Sequence, residues 1–146
     1  MPRVLAYHLI ITAYGFWLPN EPRGSWSDVV RSFELLHFGP ATKVTSSESV
    51  AHKPYDRNLK RRMNDALAHD PVDFTGLQAR AIARGFADYC ERSGLLIPAC
   101  SIIKRHAHLV VMRQTCDIEQ VACLLKGAAT SQLKKENHWN FVSSYA

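Results

Sequence analysis

Two apolar segments separated by a basic dipeptide constrain the fold more than any other feature of this sequence. Residues 95–103 and 106–113 are rich in aliphatic side chains, and only Lys104 and Arg105 lie between them. Two runs of this length with a short polar connection predict a β-hairpin. The elements on either side of the hairpin therefore determine the architecture.

A helix is predicted on each side of this hairpin. Thr75 is followed three residues later by Gln78, and Asp117 is followed three residues later by Gln120. This is the spacing of a capping box, in which a side chain at the helix start binds the backbone three residues on. Apolar residues at helical spacing follow both pairs, and we expect the first helix to end near Arg92.

The remaining elements complete an α+β fold. Residues 4–13 are apolar on both alternating faces, which predicts a central strand, and residues 138–145 alternate in the way that predicts a further strand. The order β, α, β, β, α, β predicts a ferredoxin-like (split βαβ) antiparallel sheet with helices on one face. We expect a single domain over 1–146, with a helical and loop insertion at about 14–72. Within it we predict helices over 28–38 and, capped by Asp56, over 57–68.

Composition excludes several classes of protein. Hydrophobic residues make up 47% and charged residues 21%, a globular balance, and no apolar run reaches the ~20 residues of a membrane span. The four cysteines have no metal-binding or disulfide-framework spacing, which predicts buried thiols in a cytoplasmic protein. There are 18 Lys and Arg residues against 13 Asp and Glu, a net charge of +5 that favours a polyanionic partner.

The sequence His106-Ala107-His108 is the strongest candidate for chemistry. Residues i and i+2 of a strand point to the same face, about 6–7 Å apart at Cα, so both imidazoles can bind one metal ion. Ala107 and the apolar residues in phase with it would then face the core. His8 on the first strand can share the histidine face, or it can simply bond a neighbouring polar group.

Basic residues recur on several predicted elements near these histidines. Phosphate contacts from more than one element are what backbone-dominated nucleic-acid binding requires. Each stripe can equally be a solvated face. The candidate DNA-binding residues are Arg23, Arg57, Lys60, Arg61, Lys104, Arg105 and Lys126.

The histidine pair and its context resemble the HUH single-tyrosine transposases, in particular the "IS two hundred"-like and REP-associated tyrosine transposases. The shared features are the His106-Ala107-His108-Leu-Val-Val strand, the opening Tyr7-His8-Leu-Ile-Ile-Thr, the loop from Gly15 to Trp26, and Leu-Lys-Gly-Ala-Ala-Thr ending at Thr130. The resemblance covers most of the chain.

The resemblance implies a catalytic role for His106 and His108, which would hold Mg²⁺ or Mn²⁺ against a phosphodiester of single-stranded or hairpin DNA. It also implies that a tyrosine attacks that phosphodiester in DNA transposition, and that the protein can form a homodimer. The family's tyrosine lies on a further helix, which this chain, ending at residue 146, is expected to lack. Tyr145 lies one element too early to be the nucleophile, so no nucleophile is assigned and cleavage by this chain alone is not expected.

Two alternatives remain open from the sequence. The first is a non-catalytic nucleic-acid-binding module that uses the open face of the sheet. The second is a metal-dependent phosphoesterase acting on small substrates, which would need further acidic or histidine ligands. No acidic residue occurs between residues 95 and 113 to supply one.

Overall fold

A computed structural model describes residues 3–19, 30, 33–41 and 54–140 of the chain. It is an α+β structure, which confirms the predicted class. Among these residues the strands are β1 (Ala6–Thr12), β2 (Ala99–Ile102) and β3 (His106–Met112), and the helices are a 3-10 helix (Phe33–Phe38), α1 (Arg57–Ala66), α2 (Gly76–Ser93) and α3 (Ile118–Lys135).

The described strands form one antiparallel sheet in the order β1-β3-β2. β3 is therefore the central strand of the three, and β1, for which the sequence predicts a central position, lies at an edge among the described strands. Residues 138–140, where a last strand is predicted to begin, have no regular secondary structure, and residues 141–146 lie outside the described residues.

The chain divides into two compact units, each with its own apolar core. The first comprises Met1–Ala13 and Asp73–Ala146, and the second comprises Tyr14–Val72. The core of the first unit includes Leu109 of β3 and Leu125 of α3, so helices α2 and α3 cover one face of the sheet. The core of the second unit is built around Met63 of α1.

Helix starts and ends follow the local sequence in most places. The Thr75 side chain accepts a hydrogen bond from the Gln78 backbone, while Gln78 Oε1 accepts from the Thr75 backbone, which confirms the predicted capping box. Gly94 ends α2 with a φ of 72°, a conformation that glycine adopts without steric cost. The prediction for Asp117 is wrong, because its side chain makes no capping hydrogen bond at the start of α3.

Two further predictions need correction. Of the helix predicted over 28–38, the structure describes Val30, which has no regular secondary structure, and Phe33–Phe38, which form a 3-10 helix. The cysteines are all free thiols as expected, but they are not all buried: Cys90 is half-buried, whereas Cys100, Cys116 and Cys123 are exposed. Cys100 lies on β2, at an edge of the described sheet, Cys116 lies in the loop before α3, and Cys123 lies on the outer side of α3.

Within the described part of the chain, no helix combines the length and apolarity needed to cross a bilayer.

Candidate functional site

The alternation of β3 separates its histidines from the core. Ala107, Leu109 and Val111 are buried against α2 and α3, while His106, His108 and Val110 between them are only half-buried. Because successive side chains of a strand point to opposite faces, His106 and His108 lie on the face that α2 and α3 leave open. The apolar side chains that alternate with the histidines therefore fix the direction in which the imidazoles point.

The pairing of β1 with β3 brings a third histidine to the same face. Ile10 pairs with His108 and Thr12 pairs with His106, and His8 is two residues from Ile10 along β1. Residues in phase on paired strands share a face, so His8 projects beside His108 from the neighbouring strand. The two residues are 100 positions apart in the sequence.

The three imidazoles contact one another through defined nitrogens. His106 Nε2 lies 2.9 Å from His108 Nε2, and the two rings are tilted by 70°. On the other side of His108, its Nδ1 lies 2.9 Å from His8 Nε2, with the two rings nearly parallel at 19°. His108 is thus the middle ring of the cluster, and each of its two nitrogens faces a different neighbour.

The separation of the two Nε2 atoms fits a shared divalent ion. Two nitrogens bound at about 2.1 Å on adjacent corners of an octahedron are about 3.0 Å apart, close to the 2.9 Å between His106 and His108. Imidazole suits zinc, copper, iron and nickel best, and both predicted ions, Mg²⁺ and Mn²⁺, favour oxygen donors, so the other ligands of either ion would be oxygens. Water and phosphate oxygens would complete such a coordination sphere.

His8 is not placed as a third ligand of that ion. Its Nε2 approaches His108 Nδ1, the nitrogen on the far side of the ring from His106. In agreement with this geometry, no group of three or more His, Cys, Asp or Glu side chains in the described ranges is arranged to hold a metal ion.

Two of the predicted DNA-binding residues lie on the turn between β2 and β3, immediately before the histidines. Lys104 Nζ is 3.0 Å from one carboxylate oxygen of Asp73, and Arg105 Nε is 2.5 Å from the other. The hydrogen bond from Lys104, and next that from Arg105, lowers the pKa of Asp73. The Lys104 side chain is still 73% exposed, so it remains accessible to a polyanion while Asp73 holds it beside the histidine strand.

The other predicted DNA-binding residues are distributed over both units. Arg57 and Arg61 are exposed on α1, and Lys60 of the same helix lies over the Tyr55 ring with its Nζ 5.3 Å from the centroid. Lys126 is exposed on α3 in the other unit. Arg23 lies outside the described residues, as does Tyr145.

Tyr14 does not resemble an activated nucleophile. Its hydroxyl donates a hydrogen bond to Glu34 at 3.3 Å, and burial, more than any other cause, raises the pKa of the phenol. A nucleophile is activated by a lowered pKa or an adjacent base that takes its proton in the reaction, and a raised pKa disfavours the phenolate. We therefore assign Tyr14 to the structure of the second unit.

The sequence gives no signal for the position of Asp73. It stands just before the Thr75 capping box and meets Arg105 only in the folded protein, 32 residues away. Acidic residues ahead of a helix are common, so pattern alone does not distinguish Asp73 from its neighbour Asp70.

No protein-family profile matches the chain, and searches of curated proteins and of solved structures find no match either.

Proposed function

We propose that this chain is a transposase-like domain of the HUH type, which binds single-stranded or hairpin DNA and holds a divalent ion at His106 and His108 for phosphodiester cleavage and strand transfer. The observation that carries the proposal is the pair of Nε2 atoms, 2.9 Å apart on a sheet face that α2 and α3 leave open. A face of this kind can receive an extended polyanion, whereas a histidine pair inside a core cannot.

The sheet topology supports the ferredoxin-like fold that goes with this function. Both β1 and β2 are antiparallel to β3, so they are parallel to each other, with β3 between them. The connection from β1 to β2 includes α2. Two parallel strands joined through a helix and separated by a third strand form a split βαβ unit.

The residues around the pair have separable roles in the proposed activity. His106 and His108 hold the ion, which supplies Lewis-acid polarisation of a phosphate oxygen when it is bound. Lys104 and Arg105 add positive charge at the end of the histidine strand, while Asp73 positions both of them. Lys126 and the α1 residues Arg57, Lys60 and Arg61 are proposed to contact phosphates. No residue of this chain is assigned as the nucleophile.

Calorimetric titration with MnCl₂ tests the ion site directly. Wild-type protein is expected to bind one ion. Loss of a partner outside the coordination sphere already costs about 10- to 100-fold in affinity, so a His106→Ala/His108→Ala variant should lose at least about 100-fold. A matched control, His37→Ala/His69→Ala, removes two histidines elsewhere and should leave the titration unchanged. Equal Mn²⁺ affinity in all three proteins would contradict the site assignment.

A second candidate function is a non-catalytic nucleic-acid-binding module. The observation that favours it is the exposure of apolar side chains on the histidine face, Ile10 at 38% and Met112 at 37%, against which the faces of unpaired bases can pack without any ion. Fluorescence anisotropy with a single-stranded and a hairpin oligonucleotide separates the two functions. Ion-dependent binding should weaken with EDTA, whereas the module should bind equally with EDTA and respond only to salt.

A further inference from the structure

His8 contacts the histidine pair from a different strand and through a specific nitrogen. It lies on β1, diagonally across from His108, which itself pairs with Ile10. His8 Nε2 is 2.9 Å from His108 Nδ1, a hydrogen-bond distance that requires one of the two nitrogens to carry a proton and the other to accept it. His8 itself is exposed, so neither burial nor core packing explains the contact.

The protonation pattern of His108 decides whether it can serve as a ligand. A neutral imidazole carries one proton, on either Nδ1 or Nε2, and only the unprotonated nitrogen can bind a metal. The nitrogen of His108 that faces His106 is Nε2. A shared ion therefore requires the proton of His108 on Nδ1, which is the nitrogen that faces His8.

We infer that His8 is a positioning residue: its Nε2 accepts the Nδ1–H of His108 and so holds His108 in the tautomer whose Nε2 lone pair points toward His106. This inference rests on the proposed ion site and adds to it a residue that hydrogen-bonds the ligand His108 without binding the ion itself. A histidine ligand whose second nitrogen donates to a fixed acceptor has its tautomer and ring orientation set by that acceptor. The same contact keeps His8 out of the coordination sphere, in agreement with the lack of any three-residue ligand group in the described ranges.

The test compares His8→Leu with His8→Gln in the full-length chain. Leucine fills a similar volume but cannot accept a hydrogen bond. The amide oxygen of glutamine can accept one and reaches about as far as the imidazole Nε2. His8→Leu should weaken Mn²⁺ binding by about 10- to 100-fold, the usual effect of removing such a partner, while His8→Gln should retain most of the wild-type affinity. The free energy of unfolding in urea is measured for both variants, to correct for any change in folding.

A spectroscopic readout separates positioning from a purely structural role. Two-bond ¹⁵N–¹H NMR of the histidine rings, recorded without metal, identifies which nitrogen of His108 is protonated. Wild-type protein and His8→Gln should show His108 protonated at Nδ1, and His8→Leu should show a mixture of tautomers. Unchanged Mn²⁺ affinity or an unchanged tautomer in His8→Leu overturns the positioning role alone. Wild-type protein that binds no Mn²⁺ overturns the ion site, and the role of His8 with it.

Discussion

Asp73 is the residue that links the basic turn to the rest of the first unit. Its two carboxylate oxygens bind Lys104 and Arg105 separately, and the backbone N–H of the next residue, Phe74, donates to the Lys104 carbonyl at 2.6 Å. Asp73 and Phe74 thus hold the turn that precedes the histidine strand through one side chain and one backbone bond. The carboxylate must be ionised for the first of these to persist.

Removal of that charge should affect stability in a pH-dependent way. The pKa of Asp73 is lowered in the folded protein from its ordinary value of 3.8, so the charged carboxylate stabilises the fold above about pH 4. This stabilisation is lost as the pH falls through the lowered pKa. The difference in free energy of unfolding between wild type and Asp73→Asn, from urea denaturation, should therefore be largest at neutral pH and shrink toward zero in acid.

Asp88→Asn is the matched control for this experiment. Asp88 forms an ion pair with Arg92 on the same helix, and both side chains are more than half exposed. Exposed pairs of this spacing contribute about 0.3–0.5 kcal/mol, so the control should have little effect at any pH. A loss in Asp73→Asn that is constant between neutral and acidic pH would show that the carboxylate does not act through its charge.

At the scale of elements, the close packing of α2 against α3 depends on Gly85. A Cβ atom placed on Gly85 would lie 2.7 Å from the Ala128 carbonyl oxygen and 3.0 Å from the Ala129 Cα. These are backbone atoms of α3, which cannot move aside as the end of a flexible side chain can. The two helices that cover the sheet are therefore held at a distance that only glycine at this position permits.

Alanine at two glycines should change stability in opposite directions. Gly85→Ala pushes α2 away from α3 and is expected to cost about 1–3 kcal/mol, as other insertions into packed cores do. Gly127→Ala places a methyl group in open space on the same helix pair and should stabilise by about 0.5–1 kcal/mol through helix propensity. Thermal or urea unfolding of both variants measures this. A neutral Gly85→Ala would mean that the helices separate without cost.

Several elements are predictable from the sequence and others are not. The capping box of α2 and the Asp56 cap of α1 agree with prediction because a cap depends on residues within three or four positions of each other. Asp117 has the same spacing and makes no side-chain cap, because spacing permits the hydrogen bond without requiring it. The face of α2 that becomes buried includes Gly85 and Ala81, which a search for large apolar residues overlooks.

At the scale of the whole molecule, the second unit is inserted into the first between Ala13 and Asp73. The two residues that flank the insertion both contact Arg105, in the turn between β2 and β3. The Ala13 N–H donates to the Arg105 carbonyl at 2.8 Å, and the Asp73 carboxylate binds the Arg105 side chain. The two segments of the first unit are thus joined locally, beside the turn that leads into β3. Their shared core includes residues of all three described strands and of α2 and α3.

Replacement of residues 14–72 by a short Gly-Ser linker should leave the first unit folded. Domain insertions are tolerated best in exposed loops, and both ends of this insertion contact Arg105, so its removal is expected to leave the two segments of the first unit in place. Circular dichroism should retain a cooperative unfolding transition, and MnCl₂ titration should still detect binding at the proposed ion site of His106 and His108. Loss of cooperative unfolding would show that the first unit depends on the second.

The same deletion variant tests the proposed contribution of the second unit to nucleic-acid binding. It lacks the candidate residues Arg23, Arg57, Lys60 and Arg61, so its affinity for a single-stranded oligonucleotide should fall. The plot of log affinity against log salt should become shallower by about 0.7 for each phosphate that these side chains neutralise in the wild-type complex. An unchanged slope would restrict phosphate binding to the first unit.

The sequence by itself determined the helices α1, α2 and α3, the strands β1 and β3, and that His106 and His108 share a face, because alternation and caps are properties of consecutive residues. Only the tertiary structure decided that His8 faces the far nitrogen of His108, that Asp73 binds both cations of the turn, and that Gly85 sets the spacing of two helices. These interactions join residues tens of positions apart. Strand register and helix packing, which bring such residues together, arise from the whole core and not from any local pattern.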